Sequence, residues 1–306
     1  MAAETTLVPP VLAAPTGRRQ DRVRFQLGSI PLLAPAAILL IVLFLGPVAY
    51  SFYLGFTNLN LIGPTAINYQ WTGLTNLNQL IHDPIFGQSL YRTAFFVIGS
   101  GVIGATGIGL LLAMAMQRAI PLIRILIGAL VVVCFMLPPV TVAMVWYAAS
   151  TSGGTITALF GSPNSDFLHS FPLVLVGAAN TWSLTGLAML LFGAALRNIP
   201  NEVVESAELE RANPVQRFFR ITLPLLRPTI VTTVLLMTLL SLANFTIVYI
   251  MTAGGPGNST MILPVYSYQQ AFQFDRLAYG ALVGDAMVVL ATIVSFIYVR
   301  ASRARV

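Results

Sequence analysis

Four glutamates, Glu202, Glu205, Glu208 and Glu210, crowd into one stretch of a chain that has only ten acidic residues in 306. They lie in LRNIPNEVVESAELERANPVQRFFRITLPLLRP, residues 196–228, between two long apolar segments. A hydrophobic protein that gathers its polar surface into one short loop is suited to docking that loop onto something soluble. Other chemistry is sparse. Asp285 stands inside an apolar run, where an acid is costly and serves either as a proton or cation relay or as a local hydrogen-bonding group. One apolar segment carries Asn180, Trp182, Ser183 and Thr185; another carries Ser241 and Asn244, with Met237 and Tyr249 nearby. Amides and hydroxyls hydrogen-bond sugar hydroxyls, and aromatic faces stack on sugar rings. The same groups also tie helices together in lipid. His82 and His169 fall in polar connections with no third ligand or nucleophile motif beside them. The single cysteine, Cys134, reads as a buried structural thiol.

These residues need a scaffold, and composition selects it. Hydrophobic residues make up 57% of the chain and charged residues 8%, against about 25% charged in soluble domains. So little polar surface cannot cover a globule of this length, so the chain is expected to live in a membrane. All sixteen basic residues are Arg and none is Lys. A phosphate-binding P-loop needs Lys in G-x-x-x-x-G-K-[ST], so this chain cannot carry that motif.

A spanning helix needs about 20 mostly apolar residues. Six segments qualify: roughly 30–54, 91–116, 122–148, 171–196, 228–252 and 278–299. The chain is therefore expected to be an all-α membrane protein with six transmembrane helices. Arg18-Arg19 precedes the first segment, but that segment is longer than a signal-peptide core of about 7–15 residues and reads as an uncleaved membrane helix. Residues 1–25, rich in Ala, Pro and Thr and then basic, are expected to be a disordered cytoplasmic tail. Residues 26–306 form the membrane domain. Fourteen Arg fall in the tail, the 2–3 turn, the 197–227 island and the C-terminus; only Arg92 and Arg276 fall on the other side. Because cytoplasmic loops hold the excess of Arg and Lys, both termini and the island are expected in the cytoplasm. The net charge of +6 then follows from topology, and nucleic-acid binding is not needed to explain it. In the second segment Gly101, Ala105 and Gly109 recur every fourth residue on one face, as close helix packing in lipid requires.

Within the island, Asn201 can cap a helix starting at Glu202, and Asn213-Pro214 reads as a second cap followed by Pro at the first helical position. Two short helices with a break near Arg211–Asn213 are expected. Val203, Val204 and Ala207 give the first an apolar side, and Phe218, Phe219 and Ile221 the second. By periodicity alone such an element docks on a partner or lies on lipid headgroups.

Glu205-Ser206-Ala207, Glu210, Ala212, Phe218, Ile221, Pro224 and Pro228 resemble the EAA loop of binding-protein-dependent ABC-importer permeases, within their carbohydrate branch. MTAGGPGNST at 251–260 resembles the segment after the fifth helix of sugar permeases. GLTNLNQLIHDPIFGQSLYRTAFF at 73–96 resembles the approach to their second helix, and WSLTGLAMLLFGAALRNIP at 182–200 the helix entering the EAA loop. The resemblance implies the type I ABC importer permease fold in a bacterial plasma membrane. It implies that Glu205, Ser206, Ala207, Glu210, Arg211, Ala212 and Phe218 couple to a cytoplasmic ATPase dimer. ATP and Mg would be held by those ATPase subunits and no cofactor by this chain. A second, related permease and an extracytoplasmic sugar-binding protein complete the implied complex. Asn244 and Ser241 fall at positions the family uses near the sugar; Trp182, Thr185 and Tyr249 join them as expected substrate contacts. One departure stands out: the family usually has Gly where this chain has Arg211. Either the turn is reshaped or Arg211 makes a contact of its own.

Three function classes compete. An intramembrane serine protease needs a membrane-embedded His, and both His lie outside the spans. A secondary transporter needs intramembrane acids and symmetric broken helices, and only Asp285 speaks for it. An ATP-driven importer subunit needs a cytoplasmic docking loop, which the island supplies. The expectation is a permease moving a sugar or oligosaccharide inward without itself being an enzyme.

Overall fold

The computed structural model describes residues 30–161 and 164–303. The expected tail, 1–25, with Arg18, Arg19, Arg22 and Arg24, and also Arg305, lies outside the described residues. The chain divides into two compact units, 1–48 and 49–306. In the first, Leu39, Leu43 and Phe44 are exposed apolar side chains, as suits a helix facing lipid.

Among the described residues, five helices are long and apolar enough to cross a membrane: Ala34–Gly55, Pro84–Arg118, Pro172–Arg197, Pro214–Leu242 and Leu277–Ala301. The expected third span, 122–148, is instead a pair, Pro121–Met136 and Pro139–Ser150, bent by 104°. The cause is Pro138-Pro139. Neither residue has an N–H to donate, and a residue before proline is pushed out of the helical region. Leu137 and Pro138 are extended accordingly, with ψ of 136° and 139°. Counting the pair as one span gives six.

The fifth span also differs from expectation. Its helix starts at Pro214 inside the island and ends at Leu242; a separate short helix, Thr246–Thr252, follows a break at 243–245. The sequence 228–252, apolar enough throughout to span and free of charge, suggested one uninterrupted helix. Asn244 sits within the break.

Burial concentrates in two apolar clusters of the second unit. One joins Phe96, Val142, Val176, Ile247 and Leu263; the other joins Ala105, Ala188, Phe192, Leu226 and Met237. The second, fourth and fifth spans supply most of the latter, and glycines let them approach. A Cβ at Gly109 would lie 2.5 Å from Ala188 Cβ and 2.9 Å from the Met189 nitrogen. One at Gly101 would collide with Ser241 Oγ and the Met237 carbonyl. Ala105 between them is fully buried. The small-residue stripe is thus a packing surface.

Candidate functional site

The island folds as two helices, Asn201–Leu209 and the N-terminal turn of the Pro214–Leu242 helix. Asn213 caps the second through a reciprocal pair: its Oδ1 accepts from the Gln216 N–H at 2.7 Å, and Gln216 Oε1 accepts from the Asn213 N–H at 3.1 Å. The first helix ends on Arg211, whose φ is +55°. The Ala212 N–H reaches back to the Ala207 carbonyl at 3.1 Å, the closing bond of a Schellman turn, whose left-handed residue is ordinarily Gly. The turn is therefore not reshaped; Arg211 adopts the conformation that Gly would adopt freely. Ala207 is buried, and the Ser206 hydroxyl donates to the Val203 carbonyl at 3.1 Å. Glu202, Glu205 and Glu210 are exposed; the side chains of Asn201, Val204 and Glu208 lie outside what is described. Phe218 packs edge-on against Phe219, centroids 4.9 Å apart. Leu209, 86% exposed, Val215 and Phe219 add apolar surface beside the carboxylates. Leu209 and Val215 carried no signal in the sequence beyond being apolar residues in a polar loop. Carboxylates and exposed apolar side chains thus share one surface of the island.

In the membrane-spanning region the polar residues form a node. Asn180 Nδ2 donates to Ser100 Oγ at 2.7 Å and to Ser241 Oγ at 2.9 Å. Asn244 Nδ2 donates to Asn180 Oδ1 at 2.7 Å, and Asn244 Oδ1 accepts from the Ile247 N–H at 3.2 Å. The amide of Asn244 thus takes up one of the N–H groups that the helix break leaves open. Asn180 and Ser241 are buried, whereas Asn244 is half-buried. Ser100, fourth member of the node, was missed; a lone Ser among the glycines of the second span was the available signal. Interhelical bonds of this kind are worth about 0.6–2 kcal/mol each in lipid.

The other expected substrate residues are not gathered at this node. Trp182 and Thr185 line an apolar cavity of about 690 Å³ whose walls include Phe95, Leu130 and Cys134 but not Ser241, Asn244 or Tyr249. Trp182 lies edge-on to Trp146, centroids 6.4 Å apart, and the Thr185 hydroxyl is taken by the Thr181 carbonyl at 2.7 Å. Tyr249 stacks on Phe245, and its hydroxyl accepts from Gln273 Nε2 at 3.2 Å. Asp285, 4% exposed, accepts from the Ser51 hydroxyl at 2.7 Å through Oδ1; Oδ2 has no hydrogen-bond partner among the described residues.

A clasp that sequence reading did not single out joins the segments at the opposite end of the spans from the island. Asp83 accepts from the N–H groups of Ile85 and Phe86, and from the hydroxyls of Tyr266 and Tyr279. Burial pushes the Asp83 carboxyl up, but these four bonds outweigh it and hold it below the usual carboxylate range. Burial and the Asp83 bond both raise the Tyr266 hydroxyl well above the ordinary tyrosine value. Arg276 lies over the Tyr279 ring, 4.4 Å from its centroid. Among the described residues no three His, Cys, Asp or Glu come together as a metal site.

Residues 105–306 match the family model described as binding-protein-dependent transport system inner membrane component. The chain belongs to that family. This permease is 31% identical to the sulfoquinovosyl glycerol transport system permease protein SmoG of Agrobacterium fabrum, over 92% of each chain. It is 29% identical to the lactose transport system permease protein LacF of Rhizobium radiobacter, covering 95% of this permease and 99% of LacF. Its fold matches a bacterial ABC transporter involved in import of the acidic polysaccharide alginate, with a TM-score of 0.71, 20% identity and coverage of 90% and 94%. A second structure, the alginate transporter with its pentasaccharide-bound periplasmic protein, gives 0.73. The permease is thus a non-catalytic, multi-pass membrane component of an ABC importer.

Proposed function

We propose that this permease carries a sugar or oligosaccharide inward across a bacterial plasma membrane. Both termini and the island face the cytoplasm. A second, related permease completes the pathway, a separate ATPase dimer binds ATP and Mg, and an extracytoplasmic binding protein delivers the sugar. The observation that carries the substrate reading is the break in the fifth span. It leaves a half-buried Asn244 amide just beyond the Pro214–Leu242 helix, tethered to Asn180 and next to Phe245, and irregular backbone within a membrane is tolerated only where it is buried in protein or lines a cavity. The carbohydrate names of SmoG and LacF point the same way. Coupling follows from the island: ATPase closure draws the docked helix inward, and the short turn at Arg211 passes that motion to the Pro214–Leu242 helix, which carries it toward Asn244.

The test is reconstitution of the permease with its cognate subunits in nanodiscs, with the binding protein first screened by thermal shift against a carbohydrate panel. A sugar that stabilises the binding protein is expected to stimulate ATP hydrolysis by the full complex. ATP hydrolysis by the rigorously purified permease alone, or stimulation only by charged phosphate esters, would overturn the reading.

A further inference from the structure

Two cavities meet at Leu173, near the end of the fourth span that lies away from the island. The first is the apolar slot of about 690 Å³ that Trp182 and Thr185 line. Along the second span its wall runs from Phe95 to Leu112, a rise of roughly 20–25 Å. The hydroxyls in its wall are all engaged within the protein: Ser100 donates to the Phe96 carbonyl at 2.6 Å, Thr181 to the Ser100 carbonyl at 3.0 Å and Thr185 to the Thr181 carbonyl at 2.7 Å. Such a slot has little to hold water and suits an apolar occupant. The second cavity, about 560 Å³, is polar: Arg92, Gln88, Tyr91 and Ser259 line it. Arg92 is half-buried and donates to Gln88 Oε1 at 3.2 Å; among the described residues no carboxylate pairs with it. The Ser259 Oγ is buried with no hydrogen-bond partner among the described residues. Arg276, by contrast, is held by Gln79, Gln270 and the Tyr279 ring.

We infer that the two cavities form one site for an anionic phospholipid, its phosphate at Arg92 and an acyl chain in the slot. From Arg92 to Arg118 the second span rises roughly 35–40 Å, close to the thickness of a bilayer with its headgroups, about 40–45 Å. The two guanidinium groups therefore lie at opposite headgroup levels, and the slot beneath Arg92 lies at acyl-chain depth. A guanidinium meets a phosphate with two parallel hydrogen bonds, and basic pockets between membrane helices select anionic headgroups. The unused Ser259 hydroxyl is left to donate to a phosphate or glycerol oxygen. The slot is too narrow for a helix of a neighbouring subunit. Its 690 Å³ spread over its length averages roughly 30 Å² in cross-section, against roughly 80 Å² for a helix about 10 Å across. Small residues hold it open: a Cβ at Gly99 would meet nothing within 4 Å. The site concerns the membrane and not the cargo, so it stands apart from the sugar reading.

The test uses the assembled transporter in phosphatidylcholine nanodiscs. These are doped with phosphatidylglycerol, or with phosphatidylcholine, carrying a diazirine at the end of one acyl chain. Cross-links are mapped by peptide mass spectrometry of this chain. The phosphatidylglycerol probe is expected to label Cys134 and its slot neighbours roughly fivefold more than the phosphatidylcholine probe. Arg92→Gln should erase that preference and Arg92→Lys should retain it. Gly99→Leu fills the slot and should remove its cross-links while sparing those on exposed apolar residues such as Ile125. Gly128→Leu, outside both cavities and also free of neighbours within 4 Å of its Cβ, should match the parent. Co-purification of the other subunits checks assembly, and the two-probe comparison on the parent decides even where a variant fails to assemble. Equal labelling of the slot by both probes would reduce it to ordinary lipid contact and overturn the inference. Displacement of the phosphatidylglycerol probe by soluble glycerol phosphate would make the niche a site for soluble anions, with the same result. A parent whose slot is never labelled would have it covered by a neighbouring subunit, which overturns the inference as well. Each of these outcomes leaves the importer reading standing.

Discussion

At the scale of single residues, Arg211 is the informative departure. A non-glycine residue in the left-handed region costs roughly 1–2 kcal/mol, and Arg211 is exposed there with φ +55°. Arg211→Gly removes that cost but returns some of it through the greater freedom of glycine in the unfolded chain. The variant is expected to gain under about 1 kcal/mol, read as a small rise in thermal midpoint of the purified permease with transport retained. A fall would mean that the guanidinium makes a compensating contact in the assembled transporter. Asp83 supplies a second residue-level prediction. Its folded carboxyl titrates below its ordinary value of 3.8, so its contribution is present above that value and is lost as pH falls through the folded one. Asp83→Ala should cost about 0.5–2 kcal/mol at neutral pH through the lost cap. It should also flatten the decline in stability below about pH 4, measured by thermal melts of parent and variant across that range. An unchanged decline would assign the acid sensitivity to other groups.

At the scale of elements, the island and the fifth span act as one piece. Pro214–Leu242 is continuous, so a push passed from the docking helix through the short turn at Arg211 travels along one rod to Ser241 of the node. Glu205 is exposed on the helix that precedes this rod. Glu205→Arg inverts its charge without altering the membrane region, so folding is expected to survive. Substrate-stimulated ATP hydrolysis and uptake should fall about tenfold or more, in keeping with a coupling free energy of 1–3 kcal/mol. The readout is paired: co-purification reports docking, and the ratio of stimulated to basal hydrolysis reports coupling. A variant that assembles and transports like the parent would reduce the island to an interfacial connector.

At the scale of the whole molecule, the distribution of Arg assigns the sides of the membrane. Single cysteines introduced into a Cys134→Ser background test it in intact cells. A cysteine at position 208 should resist a membrane-impermeant reagent, and one at position 258 should react. The reverse pattern would place the island away from the ATPase and remove the coupling scheme.

The sequence by itself determined the membrane class, because a chain with 8% charged residues has no other way to satisfy its apolar surface. It determined the island and its second cap, since Asn-Pro at a helix start acts through local sterics and one hydrogen bond. It also carried the family, through an ordered set of residues in the loop. What only the tertiary structure decided depends on atoms distant in the chain. Hydropathy is blind to the Pro138-Pro139 bend in direction and size, because it registers that a segment is apolar and not where it points. The break at Asn244 is invisible for the same reason: the run is interrupted where Asn180, on another helix, is available to hold the Asn244 amide, which in turn takes up the loosened Ile247 N–H. Gly101 became a packing residue only when Ser241 arrived opposite it. Tyr268 likewise meets Phe245 and Tyr249 only because two segments about twenty residues apart in sequence come together in the fold.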